Sequence, residues 1–210
     1  MIIAKYNTIF IHTPRTGGTS IERMFGYEGG TATYDETKGM NQDHRTASQM
    51  KHSYSDLWDH CFKFGFVRNP WDKMVSMYLY RIHSPFYRTQ AHEYENHYRQ
   101  RRGEDVSFRT WLKRLKWVGG VPVRARGCYN QLEYFKDEGG NIIIDHIARF
   151  ENFAEEWDFI KEKMGCTEDL IHLNRGHVKK HDYRDFYDDN TKAVIEGRFA
   201  DDIEYFGYEF

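Results

Sequence analysis

An apolar run, KYNTIFIH at residues 5–12, leads directly into the glycine-bearing stretch TPRTGG and then into TSIERMFG. That order reads as strand, loop and helix, with the helix closing near Gly26. Gly17 and Gly18 let backbone N–H groups turn toward a ligand with no Cβ in the way. The first turn of the helix brings unpaired N–H groups and a partial positive charge. Thr16, Thr19 and Ser20 add hydroxyl donors beside Pro14, and Arg15 adds full charge on a directional fork. A phosphate or a sulfate is the ligand such a loop suits. The GxxxxGK[ST] spacing of the ATPase loop is absent, and no lysine precedes Thr19 and Ser20. Taken alone, the stretch also reads as a glycine turn with an ordinary helix cap.

The rest of the chain extends the alternation. CFKFGFV (61–67) is a second strand, broken by Arg68-Asn69-Pro70, and WDKMVSMYLYRI continues as a helix with Pro70 at its first position. Met74, Val75, Tyr78, Leu79 and Ile82 have the spacing of a buried helical face. NIIIDHI (141–147) reads as a third buried strand. Asn152 and Glu155 form a capping-box pattern for a helix that stops before Gly165. Ser107 caps a helix reaching about Trp117, and a final helix runs from about Asp189 to Phe199. Residues 27–60 form an irregular excursion with one or two short helices. Alternating strands and helices imply an α/β sheet with a parallel centre.

Composition narrows the function classes. The 210 residues fit a single domain, 1–210, with an insertion at about 84–130. A formal charge of -2 gives no global field for nucleic acid, and 17% aromatics argue against disorder. No apolar window is long enough for a transmembrane segment. Cys61, Cys128 and Cys166 make neither a zinc pattern nor a disulfide framework, which points to a reducing, cytoplasmic setting.

The second strand end changes the weight of the first loop. Arg68 ends that strand and Ser76 lies in the following helix, so neighbouring strands would let both meet a second phosphate near the first. Here the sequence resembles a known family. IFIHTPRTGGTSIE resembles the 5'-phosphosulfate loop of the PAPS-dependent sulfotransferases, especially the carbohydrate branch that includes the heparan-sulfate 2-O-sulfotransferases. FKFGFVRNPWDKMVSMYLY resembles the same family's 3'-phosphate segment, and IARFENFAEEW with the closing DDIEYFGYEF fits that branch too. The resemblance implies a P-loop-like three-layer sandwich with a central parallel sheet flanked by helices. It implies PAPS as sulfuryl donor and the bisphosphate PAP as product. Pro14, Arg15, Thr16, Gly17, Gly18, Thr19 and Ser20 then form the 5'-phosphate cradle, while Arg68 and Ser76 recognise the 3'-phosphate. Arg15 stands where the family usually has a lysine on the transferring sulfuryl group; charge is kept, and reach and geometry change. Arg175, Lys179 and Lys180 match a basic loop that closes over the 3'-phosphate.

Sulfuryl transfer to a hydroxyl needs a base for the acceptor proton, and histidine titrates nearest neutrality. In the related carbohydrate enzymes the catalytic histidine follows the first helix, the place His44 occupies here. His52 and His60 are alternatives, and His12 reads as a residue that orients the first loop. No acidic pair has metal-ligand spacing, so no metal is expected. The arginine- and tyrosine-rich stretch 83–102 and the loop 122–127 are candidates for shaping the acceptor mouth. By resemblance the acceptor is a hydroxyl on a glycan, glycolipid or small molecule, and oligomeric state is left open. A nucleotide-binding protein without chemistry and an atypical kinase remain the competing readings.

Overall fold

The computed structural model describes residues 1–26, 34–35, 40–41, 44–83, 107–115, 117–118, 121–122, 130–168 and 182–210. They group into two compact units, Met1–Arg68 with Asn130–His177, and Asn69–Tyr129 with Val178–Phe210.

In the first unit, β1 (Ile2–Ile3), β2 (Thr8–Ile11), β5 (Phe62–Val67) and β8 (His146–Arg149) form a four-stranded sheet in the order β1-β2-β5-β8. β2 pairs parallel with β5, and β5 parallel with β8, so the centre is parallel as the alternation implies; only the edge pair β1–β2 is antiparallel. Every residue of β2 is buried, as a strand covered on both faces requires. Asn7 makes the tight return between the edge pair at φ 45°, a conformation asparagine tolerates better than most residues.

One face of the sheet presents Phe10, Phe64, Phe66 and Ala148. Ile21 of α1 (Gly18–Met24) and Trp157, Ile160 and Met164 of α6 (Phe153–Met164) pack with them. Phe10 stacks on Phe64 at 5.0 Å and Phe66 on Phe153 at 4.6 Å. Each such ring contributes about 1.5–3 kcal/mol by leaving water. On the other face Gly65 is required because a Cβ there would meet the Phe135 ring and the Ile11 carbonyl. Lys63 donates on that face to the carbonyls of Trp58 at 3.2 Å and Cys61 at 2.9 Å, next to α3 (Ser55–Trp58). Two short ladders are the other strand pairs among the described residues, β3 (Tyr34–Asp35) with β4 (Met40–Asn41) and, in the second unit, β6 (Trp117–Val118) with β7 (Val121–Pro122).

The second unit holds α4 (Pro70–His83), α5 (Phe108–Arg114), α7 (Asp189–Arg198) and α8 (Ala200–Phe206). Asn69 Oδ1 accepts from Trp71 N at 3.0 Å and caps α4, with Pro70 at the first position where its missing N–H costs nothing. Met74, Val75 and Tyr78 are buried on α4, and Leu79 half-buried. Phe210 is seated edge-on against Trp71, Tyr183 and Tyr187.

Three local expectations are corrected. The third strand begins at His146, not Asn141, because Asp137 draws residues 137–141 into a turn, accepting from Gly139 N and Asn141 N. The isoleucine run therefore closes that turn, Ile142 bridging Lys136, before the strand starts. Asn152 makes no side-chain cap hydrogen bond, since a 3-10 turn over Phe150–Asn152 precedes the helix. Glu156 binds upstream instead, accepting from Arg149 N at 3.0 Å and His146 Nε2 at 2.8 Å. The helix capped by Ser107 ends at Arg114, and Trp117 belongs to β6.

Candidate active site

The loop between β2 and α1 has an unusual backbone. Arg15 stands at φ 68° and Gly17 at φ 83°. Left-handed residues at alternate positions curl a chain so that its N–H groups face one side, the conformation that cradles anions. For arginine this geometry costs about 1–2 kcal/mol, so neighbouring contacts must hold it. Arg68 supplies one. Its Nη1 donates to the Arg15 carbonyl at 3.1 Å while its guanidinium lies 4.3 Å from the centre of the Phe150 ring.

Arg68 is itself held at the end of β5 by Gln131. The fully buried amide accepts from Arg68 N at 2.9 Å and donates to Arg68 O at 2.8 Å, as a neighbouring strand would. Below the loop, Thr13 donates to the Phe66 carbonyl and Thr16 to the Thr13 carbonyl at 2.8 Å. The Thr16 hydroxyl, expected to face a ligand, is fully buried and holds the loop's own shape. Pro14 and Ser20 are buried, and Arg15, Gly17 and Thr19 half-buried.

The two glycines are needed for reasons beyond access to a ligand. A Cβ on Gly17 would lie 3.0 Å from Phe153 and 3.1 Å from Phe150. A Cβ on Gly18 would fall on the imidazole of His12. His12 is buried at the end of β2, stacked on Phe10, with Nδ1 2.6 Å from Glu22 Oε1.

His44 lies just before α2 (Ala47–Ser53), whose start is fixed by a capping box between Thr46 and Gln49. Its Nδ1 is 3.1 Å from the His12 carbonyl, and its ring sits edge-on to the His12 ring at 4.5 Å. A carbonyl oxygen can only accept, so Nδ1 carries the hydrogen and Nε2 is the accepting nitrogen of the neutral ring. A neutral His44 ring holding this hydrogen bond has the tautomer a proton acceptor needs.

The structure brings together the loop, Arg68, His12 and His44 within the first unit. His52, exposed on α2, and His60, exposed after α3, have no hydrogen bond to that group. Ser76 is half-buried on α4 in the second unit. Arg175, Lys179 and Lys180 lie outside the described residues, as does most of the insertion expected at about 84–130. Glu22, Gln131 and Phe150 are site residues that sequence reasoning missed. Only Glu22 had a signal, an acid on the helix that follows a histidine-ended strand.

A surface cavity of about 370 Å³, lined by Ile2, Ile3, Met24 and Phe25 and flanked by Lys5 and Glu168, lies at the far end of α1 and contains none of these residues. Among the described residues no three metal-binding side chains cluster, and no helix is long and apolar enough to cross a membrane.

No curated protein and no solved structure matches the chain. A family model described as Sulfotransferase family matches residues 1–209. With a match over nearly its whole length, the chain belongs to the sulfotransferase family.

Proposed function

We propose that the protein transfers a sulfuryl group from PAPS to a hydroxyl of a glycan, glycolipid or small-molecule acceptor, with His44 as general base. The observation that carries this reading is the hydrogen bond from His44 Nδ1 to the His12 carbonyl, 3.1 Å long. With Nδ1 donating there, Nε2 is the accepting nitrogen whenever the ring is neutral, which supports His44 as the base.

In this reading Arg15 and the loop through Ser20 hold the 5'-phosphosulfate, and Arg68 with Ser76 recognises the 3'-phosphate. The family resemblance assigns Arg175, Lys179 and Lys180 to that phosphate as well. The acceptor oxygen bonds to sulfur as the bond from sulfur to the bridging phosphate oxygen breaks. The acceptor proton passes to His44 Nε2, and Arg15 stabilises the charge that grows on the leaving oxygen. The products are a sulfate ester and adenosine 3',5'-bisphosphate.

Calorimetric titration with adenosine 3',5'-bisphosphate, beside AMP and ATP, tests the donor. Tighter binding of the bisphosphate is the expected result. Preference for ATP, or no binding of any of the three by folded protein, would overturn it.

A further inference from the structure

We infer that Glu22 and His12 are positioning residues for His44, acting through a buried chain of contacts that sets the rotation of its ring. The inference deepens the proposed function and rests on it in one respect, the identity of His44 as the base.

The chain begins with a carboxylate that burial alone would not favour. Glu22 and His12 each retain only 6% of their accessible surface. Their contact, 2.6 Å, is as close as a strong hydrogen bond to a carboxylate, which offsets the cost of withdrawing that group from water. Because a carboxylate accepts, His12 Nδ1 donates, and the bond fixes both tautomer and ring angle. The other edge of the ring, with Nε2, fills the space a Cβ on Gly18 would need. Phe10 stacks on one face at 5.5 Å. A ring clamped on two edges and a face has no room for an acceptor hydroxyl, so His12 is poorly placed to move the acceptor's proton itself.

His12 instead meets His44 twice. Its carbonyl accepts from His44 Nδ1 at 3.1 Å, and its ring abuts the His44 ring at an interplanar angle of 66°. The carbonyl selects which nitrogen carries hydrogen, and the ring limits how far His44 can rotate away from that bond. The backbone carbonyl survives any substitution at residue 12, so side-chain variants isolate the part played by the ring.

The test uses the full chain with 15N-labelled histidine and long-range 1H–15N correlation, at a pH above the histidine range. The His44 signals are identified by their loss in His44→Gln. The unmutated protein is expected to show His44 as the Nδ1–H tautomer. Glu22→Gln, which keeps an oxygen acceptor for His12, retains that pattern, whereas Glu22→Ala gives a mixture of tautomers. With a working acceptor, Glu22→Ala lowers kcat by about ten- to a hundredfold with unchanged bisphosphate affinity, and Glu22→Gln recovers most of the loss. If Glu22→Ala fails to fold, the double variant His12→Leu/Glu22→Leu leaves no buried charge and should show the same mixture. An unchanged His44 tautomer in a folded Glu22→Ala or double variant overturns the inference. The two readings fail separately, because loss of bisphosphate binding in the unmutated protein removes the donor assignment and leaves the tautomer result standing.

Discussion

Arg68 Nη1 donates to the carbonyl oxygen of Arg15 at 3.1 Å, so the residue at the end of β5 supports the strained residue at the centre of the loop after β2. The two strands are parallel neighbours, which brings both carboxyl ends, and the loops that follow them, to the same edge of the sheet. Arg68→Ala is expected to reduce the preference for adenosine 3',5'-bisphosphate over AMP by at least about tenfold, because a charge-assisted bond is worth roughly 1.5–3 kcal/mol. Calorimetry with both nucleotides measures it, and an unchanged ratio would take the 3'-phosphate role away from Arg68.

Phe150 carries the Arg68 guanidinium at 4.3 Å. Phe150→Leu should lower the same preference in the same direction by about two- to fivefold, the weight of a half-exposed cation–π contact, and Phe150→Trp should restore it. Equal loss of AMP and bisphosphate binding would mean that Phe150 supports the loop as a whole.

His44→Ala is expected to lower turnover by about 10²–10⁴-fold while the affinity for the bisphosphate changes little, since a base acts mainly in the transition state. Steady-state kinetics with a competent acceptor, paired with calorimetry, separates the two quantities. Near-normal turnover would place the base elsewhere.

Gly18→Ala inserts a methyl group where the His12 ring lies, although Gly18, unlike Gly17, does not have a positive φ. Overpacking of this kind costs about 1–3 kcal/mol, measurable by urea unfolding. Stability within about 0.5 kcal/mol of the unmutated protein would show that the ring moves freely, which would also weaken the clamped arrangement beneath His44.

Asp188 caps α7 by accepting from Thr191 N at 2.7 Å, and that bond first, then the Thr191 hydroxyl, holds its carboxyl below the usual aspartate range. A lowered folded-state value means the contribution is fully present above about pH 4 and is lost as pH falls through the folded value. Asp188→Asn keeps a cap but cannot titrate, so its acid unfolding should depend less steeply on pH below about pH 4. Thermal melts across that range check the slope, and parallel curves for the two proteins would refute the assignment.

What the chain determined locally was the alternation of elements and the glycine turn between β2 and α1. Apolar runs at 8–11 and 62–67, Pro70 after a strand and glycines after Pro14 are short-range signals, and each corresponds to a structural feature near the expected place. The isoleucine run at 141–144 shows where such signals fail. Its apolar character is that of a strand, yet hydrogen bonds to the Asp137 side chain draw the adjoining residues 137–141 into a turn and delay the strand to His146. Only the tertiary structure could assign Gln131 to the Arg68 backbone, Phe150 to its guanidinium and Glu22 to His12. The first two pairs join residues far apart in sequence, and all three depend on the register and facing of packed elements. Those are set by burial of whole faces and leave no periodic trace in the residues that profit from them.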